Sequence, residues 1–179
     1  MNPLLQLHSY GQSYWMDVLT RGMIESGELS TRVAEHGLRG ITSNPAIFNK
    51  AISGSNEYDR QIEELIGQRR SISEIYEQIV VKDIQDACDI LRPVYDQSNG
   101  VDGFVSLEVS PYLAHDTQGT MEDVRRLFSL VNRPNVFIKI PGTPAGVPAI
   151  EESIFNGVPV NVTLLFSREQ YLAAANAYM

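Results

Sequence analysis

The sequence has one cysteine, Cys88, in 179 residues, which excludes an internal disulfide and a zinc site built from several cysteines. Cys88 falls within a helical pattern, so we interpret it as a small core side chain. No apolar run reaches the roughly 20 residues that a membrane helix needs. Residues 1–6 also lack the basic start and apolar stretch of a signal peptide. We therefore expect a cytoplasmic protein with no membrane partner.

Positive charge is scarce as well. The formal net charge is −8, and no run of basic residues occurs. This balance argues against nucleic acid and anionic membranes as partners. The histidines, His8, His36 and His115, are far apart and lack the spacing of metal ligands. We expect neither a metal nor a cofactor, and no glycine-rich dinucleotide fingerprint follows the first predicted strand.

Strand and helix patterns alternate along the chain. Apolar, β-branched segments predict five strands, and amphipathic segments between them predict helices. The predicted strands are residues 13–18, 38–43, 103–109, 135–140 and 158–166. The predicted helices are residues 20–24, a segment from a Ser30 cap to Gly37, a turn capped by Asn44, residues 55–66, residues 73–91 ended by Pro93, residues 120–131, residues 145–155 and a segment opening at Ser167.

Five strands alternating with helices indicate an α/β fold with a parallel sheet, either doubly wound or a (β/α)8 barrel. Polar groups occur near the carboxyl end of each strand, and the opposite faces of the last three are aliphatic. This pattern favours the TIM barrel. A complete barrel needs about 250 residues and eight strands. The chain supplies about five β/α units, so we expect either a fragment of a barrel or a sheet that another chain completes.

Lys139 interrupts an apolar segment, residues 135–140, where an ammonium must be paired, solvated or chemically employed. Alternation places Glu108, on the neighbouring strand, on the same face as Lys139. A structural ion pair, or a lysine that snorkels out of the strand end, would explain these two residues equally well. Four further polar residues near strand ends enlarge the cluster: Asp17, Asn44, Asn161 and Thr163. Three of them also have an ordinary explanation: Asp17 and Asn44 as helix caps, and Thr163 as a partner for backbone groups.

Such a cluster suits amine chemistry. A neutral lysine amine attacks a ketone or aldehyde and forms a Schiff base, whose cationic iminium draws electrons from the adjacent carbon–carbon bond. Nearby carboxylates can move the protons that this reaction requires. The hypothesis from the residues alone is therefore a sugar-cleaving site that needs no metal.

Four motifs, in chain order, resemble the transaldolase family, and the similarity is closest to its longer-chain branch. They are residues 40–45 (Gly-Ile-Thr-Ser-Asn-Pro), 105–111 (Val-Ser-Leu-Glu-Val-Ser-Pro), 137–143 (Phe-Ile-Lys-Ile-Pro-Gly-Thr) and 161–167 (Asn-Val-Thr-Leu-Leu-Phe-Ser). The resemblance covers nearly the whole chain from Gly11 onward. It implies a barrel of the class I aldolase type, in which residues 1–179 would be the N-terminal part of a single domain that is incomplete at its C-terminal side.

The resemblance also implies catalytic roles. Lys139 would form the Schiff base with a ketose phosphate, either fructose 6-phosphate or sedoheptulose 7-phosphate. Glu108, acting through a water, would assist carbinolamine dehydration. Asp17 would take the proton of the hydroxyl whose carbon–carbon bond breaks, and would return one to the acceptor aldehyde. The retained three-carbon unit would then pass to erythrose 4-phosphate or glyceraldehyde 3-phosphate, the exchange of the non-oxidative pentose phosphate pathway.

Binding roles follow from the same resemblance. Asn44, Asn161 and Thr163 would position the dihydroxyacetone unit or the water, and the family's phosphate-binding serine and arginines have no counterpart before Met179. Two alternatives stay open. One is another Schiff-base aldolase, which releases free dihydroxyacetone or uses a small aldehyde donor. The other is a truncated, non-catalytic chain that a partner polypeptide completes. The partner could also be a second copy of the chain, in a homo-oligomer.

Overall fold

The computed structural model describes residues 2–179 and divides the chain into two compact units, Met1–Val105 and Ser106–Met179. Strands and helices alternate in both. The strands are β1 (Tyr14–Met16), β2 (Leu38–Thr42), β3 (Phe104–Glu108), β4 (Val136–Pro141) and β5 (Val160–Thr163). The α-helices are α1 (Pro3–Gln6), α2 (Arg21–Glu25), α3 (Glu28–His36), α4 (Pro45–Ser53), α5 (Asp59–Gly67), α6 (Ile72–Gln97), α7 (Thr117–Val131), α8 (Gly146–Phe155) and α9 (Arg168–Tyr178).

The strands hydrogen-bond in chain order, β1-β2-β3-β4-β5, and β1 pairs with β2, and β4 with β5, in parallel. A doubly wound sheet reverses its strand order at a switch point, whereas each strand of a (β/α)8 barrel pairs with the next one in sequence. The observed order is that of a barrel. The predicted fold class, the first five β/α units of a (β/α)8 barrel, is confirmed.

In the first unit, the pairing of β1 with β2 requires a glycine. Trp15 is the register partner of Gly40, and the register shifts between Tyr14 and Trp15. A Cβ built on Gly40 would lie 2.2 Å from the Trp15 ring, far inside van der Waals contact. The indole therefore lies directly over the backbone of β2, and only glycine leaves room for it.

In the second unit, alternation along the strands separates an apolar face from a polar one. Leu107 of β3 and Ile138 and Ile140 of β4 are at most 5% exposed. Each such side chain contributes about 2 kcal/mol through burial of its apolar surface. Glu108 and Lys139, which alternate with them, lie on the opposite face and keep partial access to solvent. The predicted alternation of these strands is confirmed.

Several predicted helix and strand limits were wrong. Helix α3 begins at Glu28 after Gly27, not at a Ser30 cap, and α7 begins at Thr117 because Asp116 is its N-cap. Helix α5 begins at Asp59 rather than Ser55, and α6 begins after Ser71, which forms a capping box with Glu74. Strand β5 ends at Thr163 because Leu164 has a left-handed φ of 61°. Helix α1 and the 3-10 helix Leu7–Tyr10 were not predicted.

The sequence had suggested that Pro93 ends its helix, and this prediction was wrong. Helix α6 continues through it to Gln97. The additional turn carries Tyr95, whose ring meets that of Phe104 edge to face with centroids 5.3 Å apart. This contact offsets part of the roughly 3 kcal/mol that an interior proline costs an isolated helix.

A polar network in the first unit ties α2 and α6 to Tyr58. The Arg21 guanidinium donates to Asp83 Oδ1 from Nε at 2.9 Å and from Nη2 at 2.7 Å. The Tyr58 hydroxyl donates to Asp83 Oδ2 and accepts the Arg21 backbone N–H, both at 3.1 Å. Burial raises the pKa of Asp83 above its usual value, while the hydrogen bonds from Arg21 and Tyr58 oppose that shift. The network satisfies buried polar groups on three segments at once.

No helix in the described part of the chain, residues 2–179, is long and apolar enough to cross a membrane.

Gly103→Ala is expected to lower the free energy of unfolding by about 3 kcal/mol, from left-handed strain and backbone overlap. Gly103 has a φ of +85°, and an added Cβ would lie 2.4 Å from the Tyr95 backbone nitrogen. Gly67→Ala is the matched control, because nothing lies within 4 Å of its Cβ position. Urea denaturation of both variants checks this; equal stabilities would contradict the close approach of Gly103 to α6.

Tyr58→Phe tests the buried network through pH. Burial raises the pKa of Tyr58 from 10.0 to about 12. The folded-state pKa lies above the unfolded one, so the neutral phenol contributes stability below pH 10.0 that is lost as the pH rises toward 12. At about pH 8 the variant is expected to be less stable than the unsubstituted protein by roughly 1–3 kcal/mol, since Asp83 loses a donor.

At about pH 11 this stability gap is expected to narrow. The phenol ionises more readily in the unfolded state than in the folded state, so only the protein that retains Tyr58 loses stability as the pH rises. Urea denaturation at the two pH values measures the gap. Tyr10→Phe, at an exposed ring, is the control and is expected to show no gap at either pH. A gap that widens at alkaline pH would contradict the direction of the pKa shift.

Candidate active site

Lys139 and Glu108 form an ion pair in the second unit. Lys139 Nζ lies 3.5 Å from Glu108 Oε2, and the two side chains are 13% and 15% exposed. Removing one member of a pair this well shielded leaves the other charge poorly solvated, which costs several kcal/mol. The sequence placed these two residues on one face, and the structure brings their charged groups together.

The register across three strands explains the pair. The Val109 N–H donates to the Lys139 carbonyl at 3.1 Å, which in a parallel ladder sets Glu108 beside Lys139. On the other side of β4, Lys139 is the register partner of Asn161. Glu108, Lys139 and Asn161 therefore form a row across β3, β4 and β5, and all three side chains lie on the polar face.

A side-chain hydrogen bond across β4 shows that this face is concave. Asn161 Nδ2 on β5 donates to Ser106 Oγ on β3 at 2.9 Å. In a flat sheet, strands separated by a third strand lie about 9–10 Å apart. The sheet formed by β3, β4 and β5 must curl toward its polar face for the two groups to meet. Curling of this kind brings inward side chains of alternate strands into one layer, as in a (β/α)8 barrel.

Thr163 belongs to the next layer. Ser106 and Asn161 share one layer, and Glu108 and Thr163 each lie two residues further along β3 and β5. The same stagger therefore brings Thr163 to the level of Glu108, with Lys139 on the strand between them. A carboxylate, a hydroxyl and an amide therefore share the face of the sheet that carries the Lys139 amine.

The loops that follow β3 and β4 are anchored by side chains. Thr143 Oγ1 donates to the Ala114 carbonyl at 2.6 Å and accepts the Gly146 N–H, at the start of α8, at 2.9 Å. Asp123 of α7 accepts the Ser110 N–H at 3.1 Å. The carboxyl ends of both strands are thereby fixed, and so are the positions of Glu108 and Lys139, as a preorganised site requires.

In the first unit, Asp17 directly follows β1 and is exposed. Asn44 follows β2 and is the N-cap of α4, since its Oδ1 accepts the Ile47 N–H at 3.0 Å. The predicted capping role of Asn44, with Pro45 in the first turn, is confirmed. The predicted functional roles of Asp17 and Asn44 stay predictions.

Ser106 was not among the predicted site residues, although alternation placed it on the polar face. It is fully buried. Its partner is two strands away, and alternation identifies a face without giving its curvature. As for metals, no group of three or more His, Cys, Asp or Glu side chains among residues 2–179 is arranged to hold an ion.

A parallel sheet in chain order, with a lysine–carboxylate pair on its concave face, defines the class of (β/α)8 barrel proteins that carry their polar site inside the barrel. Within that class, the family model described as transaldolase/fructose-6-phosphate aldolase matches residues 14–178. The chain belongs to this family.

Individual relatives agree with the family model. The chain is 52% identical over 178 residues to a transaldolase of Trichodesmium erythraeum and 54% identical over 178 residues to a transaldolase 2 of Nostoc punctiforme. Each alignment covers 99% of this chain and 47% of the relative. A transaldolase of Thiobacillus denitrificans is 46% identical over 179 residues, which are 50% of its length. The chain thus spans about half the length of the curated relatives that it matches.

Proposed function

We propose that the full-length protein containing this chain is a transaldolase. It moves a dihydroxyacetone unit from a ketose phosphate, fructose 6-phosphate or sedoheptulose 7-phosphate, to an aldose phosphate, erythrose 4-phosphate or glyceraldehyde 3-phosphate. The observation that carries the proposal is the shielded pair of Lys139 and Glu108, 3.5 Å apart on the concave polar face. Membership of the family supports the choice of reaction.

The first step joins the donor to the protein. The neutral amine of Lys139 attacks the ketone carbon of the donor, and the resulting carbinolamine loses water to give an iminium. Glu108, acting through a water, provides the proton for the departing hydroxyl. Its carboxylate is already beside Nζ, so the acid–base group and the nucleophile need no large rearrangement.

The second step breaks a carbon–carbon bond. Asp17 takes the proton of the donor's C4 hydroxyl, the C3–C4 electron pair moves toward the iminium nitrogen, and the aldose product leaves. The remaining enamine attacks the carbonyl carbon of the acceptor aldose through C3, and Asp17 returns the proton to the new alkoxide. Addition of water to the iminium then frees the new ketose and restores the amine, so the exchange consumes no oxidant and needs no cofactor.

The binding roles have two kinds of support. Asn161 and Thr163 lie on the concave face of the second unit, one in the row of Lys139 and the other two residues further along β5. We assign them to the three-carbon unit or to the water. Asp17 and Asn44 owe their assignments to the family resemblance alone. We further propose that residues 1–179 form the N-terminal part of one barrel domain, acting in the cytoplasm in the non-oxidative pentose phosphate pathway.

A second candidate activity is release of free dihydroxyacetone, favoured by the family description that also names fructose-6-phosphate aldolase. Product analysis with and without an acceptor aldose separates the two, because only a transaldolase needs the acceptor for turnover. A chain that requires a partner polypeptide or a second copy is the remaining alternative. In that case, activity would be found only in fractions whose solution mass is that of an oligomer or of a mixed complex.

Lys139→Arg tests the nucleophile. The chain has only three lysines, Lys50, Lys82 and Lys139. Borohydride reduction of the full-length protein with fructose 6-phosphate is expected to leave a three-carbon adduct on Lys139, located by peptide mass spectrometry. Arginine keeps the positive charge beside Glu108 but is not nucleophilic, so the adduct and the activity should both disappear.

Lys82→Arg is the control for that experiment, since Lys82 pairs with Asp86 at a largely exposed position. It is expected to retain both the adduct and the activity. An adduct that persists after Lys139→Arg, or that maps to Lys50 or Lys82 in the unsubstituted protein, would contradict the proposed mechanism.

Glu108→Gln tests the acid–base role. It is expected to lower kcat by roughly a hundredfold or more, the usual contribution of a positioned acid–base group. Glu152→Gln is the matched control, because Glu152 forms an exposed ion pair with Arg125 at 3.1 Å. Steady-state kinetics of both variants measure the difference. Similar kcat values for the two would show that Glu108 is only a structural partner of Lys139.

A further inference from the structure

We propose that Ser106 is a positioning residue, which acts on the substrate only by fixing the carboxamide of Asn161. The inference deepens the proposed transaldolase function and rests on it. Ser106 is 0% exposed and cannot form a direct surface contact with an incoming sugar. Its hydroxyl oxygen instead accepts a hydrogen bond from Asn161 Nδ2 at 2.9 Å.

The orientation of an asparagine side chain decides what it can recognise. A carboxamide has a donor end and an acceptor end, and a rotation of 180° about its last bond exchanges them. The observed bond turns Nδ2 toward Ser106, which leaves Oδ1 on the other side of the carboxamide as an acceptor for a ligand. Asn161 would therefore accept a hydrogen bond from a sugar hydroxyl.

The register identifies which part of the substrate this acceptor meets. Asn161 is the direct register partner of Lys139. A sugar bound through its ketone carbon to Lys139 presents the hydroxyls of the two flanking carbons closest to the neighbouring strands. The acceptor at Asn161 thus recognises a hydroxyl of the donor's three-carbon unit, not the aldose that later accepts the unit.

Loss of the Ser106 hydroxyl is expected to weaken binding of the donor sugar but not of the acceptor. Without it, Nδ2 keeps no buried partner and the carboxamide samples other rotamers, so Oδ1 is presented only part of the time. The donor KM is then expected to rise by roughly tenfold, while the acceptor KM stays within about twofold, because the interaction is lost mainly in donor binding.

Two variants of equal size make the comparison in the full-length protein. Ser106→Thr keeps the hydroxyl and Ser106→Val removes it, while both add the same volume to a buried position. We expect the Val variant to have a donor KM about tenfold above that of the Thr variant, with similar acceptor KM values. This pair decides the question even if the smaller Ser106→Ala variant fails to fold. Equal donor KM values would overturn the proposal.

A double-mutant cycle tests whether Ser106 acts through Asn161. Ser106→Ala is expected to raise the donor KM about tenfold in the unsubstituted protein but by less than about twofold in the Asn161→Ala background. A merely structural serine would lower activity by the same factor in both backgrounds, and that result would overturn the inference.

Ser153→Ala controls for the loss of any buried serine hydroxyl. Ser153 is 5% exposed and donates to the Ala149 carbonyl within α8 at 2.6 Å, away from the polar face. Its donor KM should stay unchanged. If the proposed function is wrong, the unsubstituted protein will show neither sugar transfer nor the Lys139 adduct. If only this inference is wrong, the protein will be active and its donor KM will not change when Ser106 is substituted.

Discussion

The parallel register of β3, β4 and β5 is the constraint on which the candidate site depends. It aligns Glu108, Lys139 and Asn161 in one row, and alternation places all three side chains on one face. A slip of one residue in β4 would move Lys139 into the apolar layer under the helices and expose Ile138 or Ile140 to the polar face. Burial of those isoleucines therefore fixes the position of the lysine as well as the fold.

Curvature adds what the register alone cannot provide. The hydrogen bond from Asn161 to Ser106 joins strands that are not neighbours, so the polar face that carries Lys139 must be concave. Hydrogen-bonded side chains in the layer below and the anchored loops that follow β3 and β4 leave the amine in a defined setting. The same features that stabilise the sheet thus preorganise the groups proposed to react.

Sequence patterns predicted the strands and the Lys139–Glu108 pair because alternation and apolar runs are local signals. Helix starts were harder to predict, since Asp116 and Thr120 are both acceptable caps and tertiary packing selects between them. Pro93 was misleading for a similar reason: proline is a local stop signal, whereas the contact of Tyr95 with Phe104 is a tertiary contact between the helix and the next strand. Ser106 was missed because its partner is 55 residues away in sequence.

The most direct test of the account is a crystal structure of the full-length protein incubated with fructose 6-phosphate at a pH where turnover is slow. We predict continuous electron density from Lys139 Nζ to the ketone carbon of the three-carbon unit, with Asn161 Oδ1 within hydrogen-bonding distance of one of its hydroxyls. A sugar bound without a covalent link, with Lys139 still paired to Glu108, would contradict the central claim.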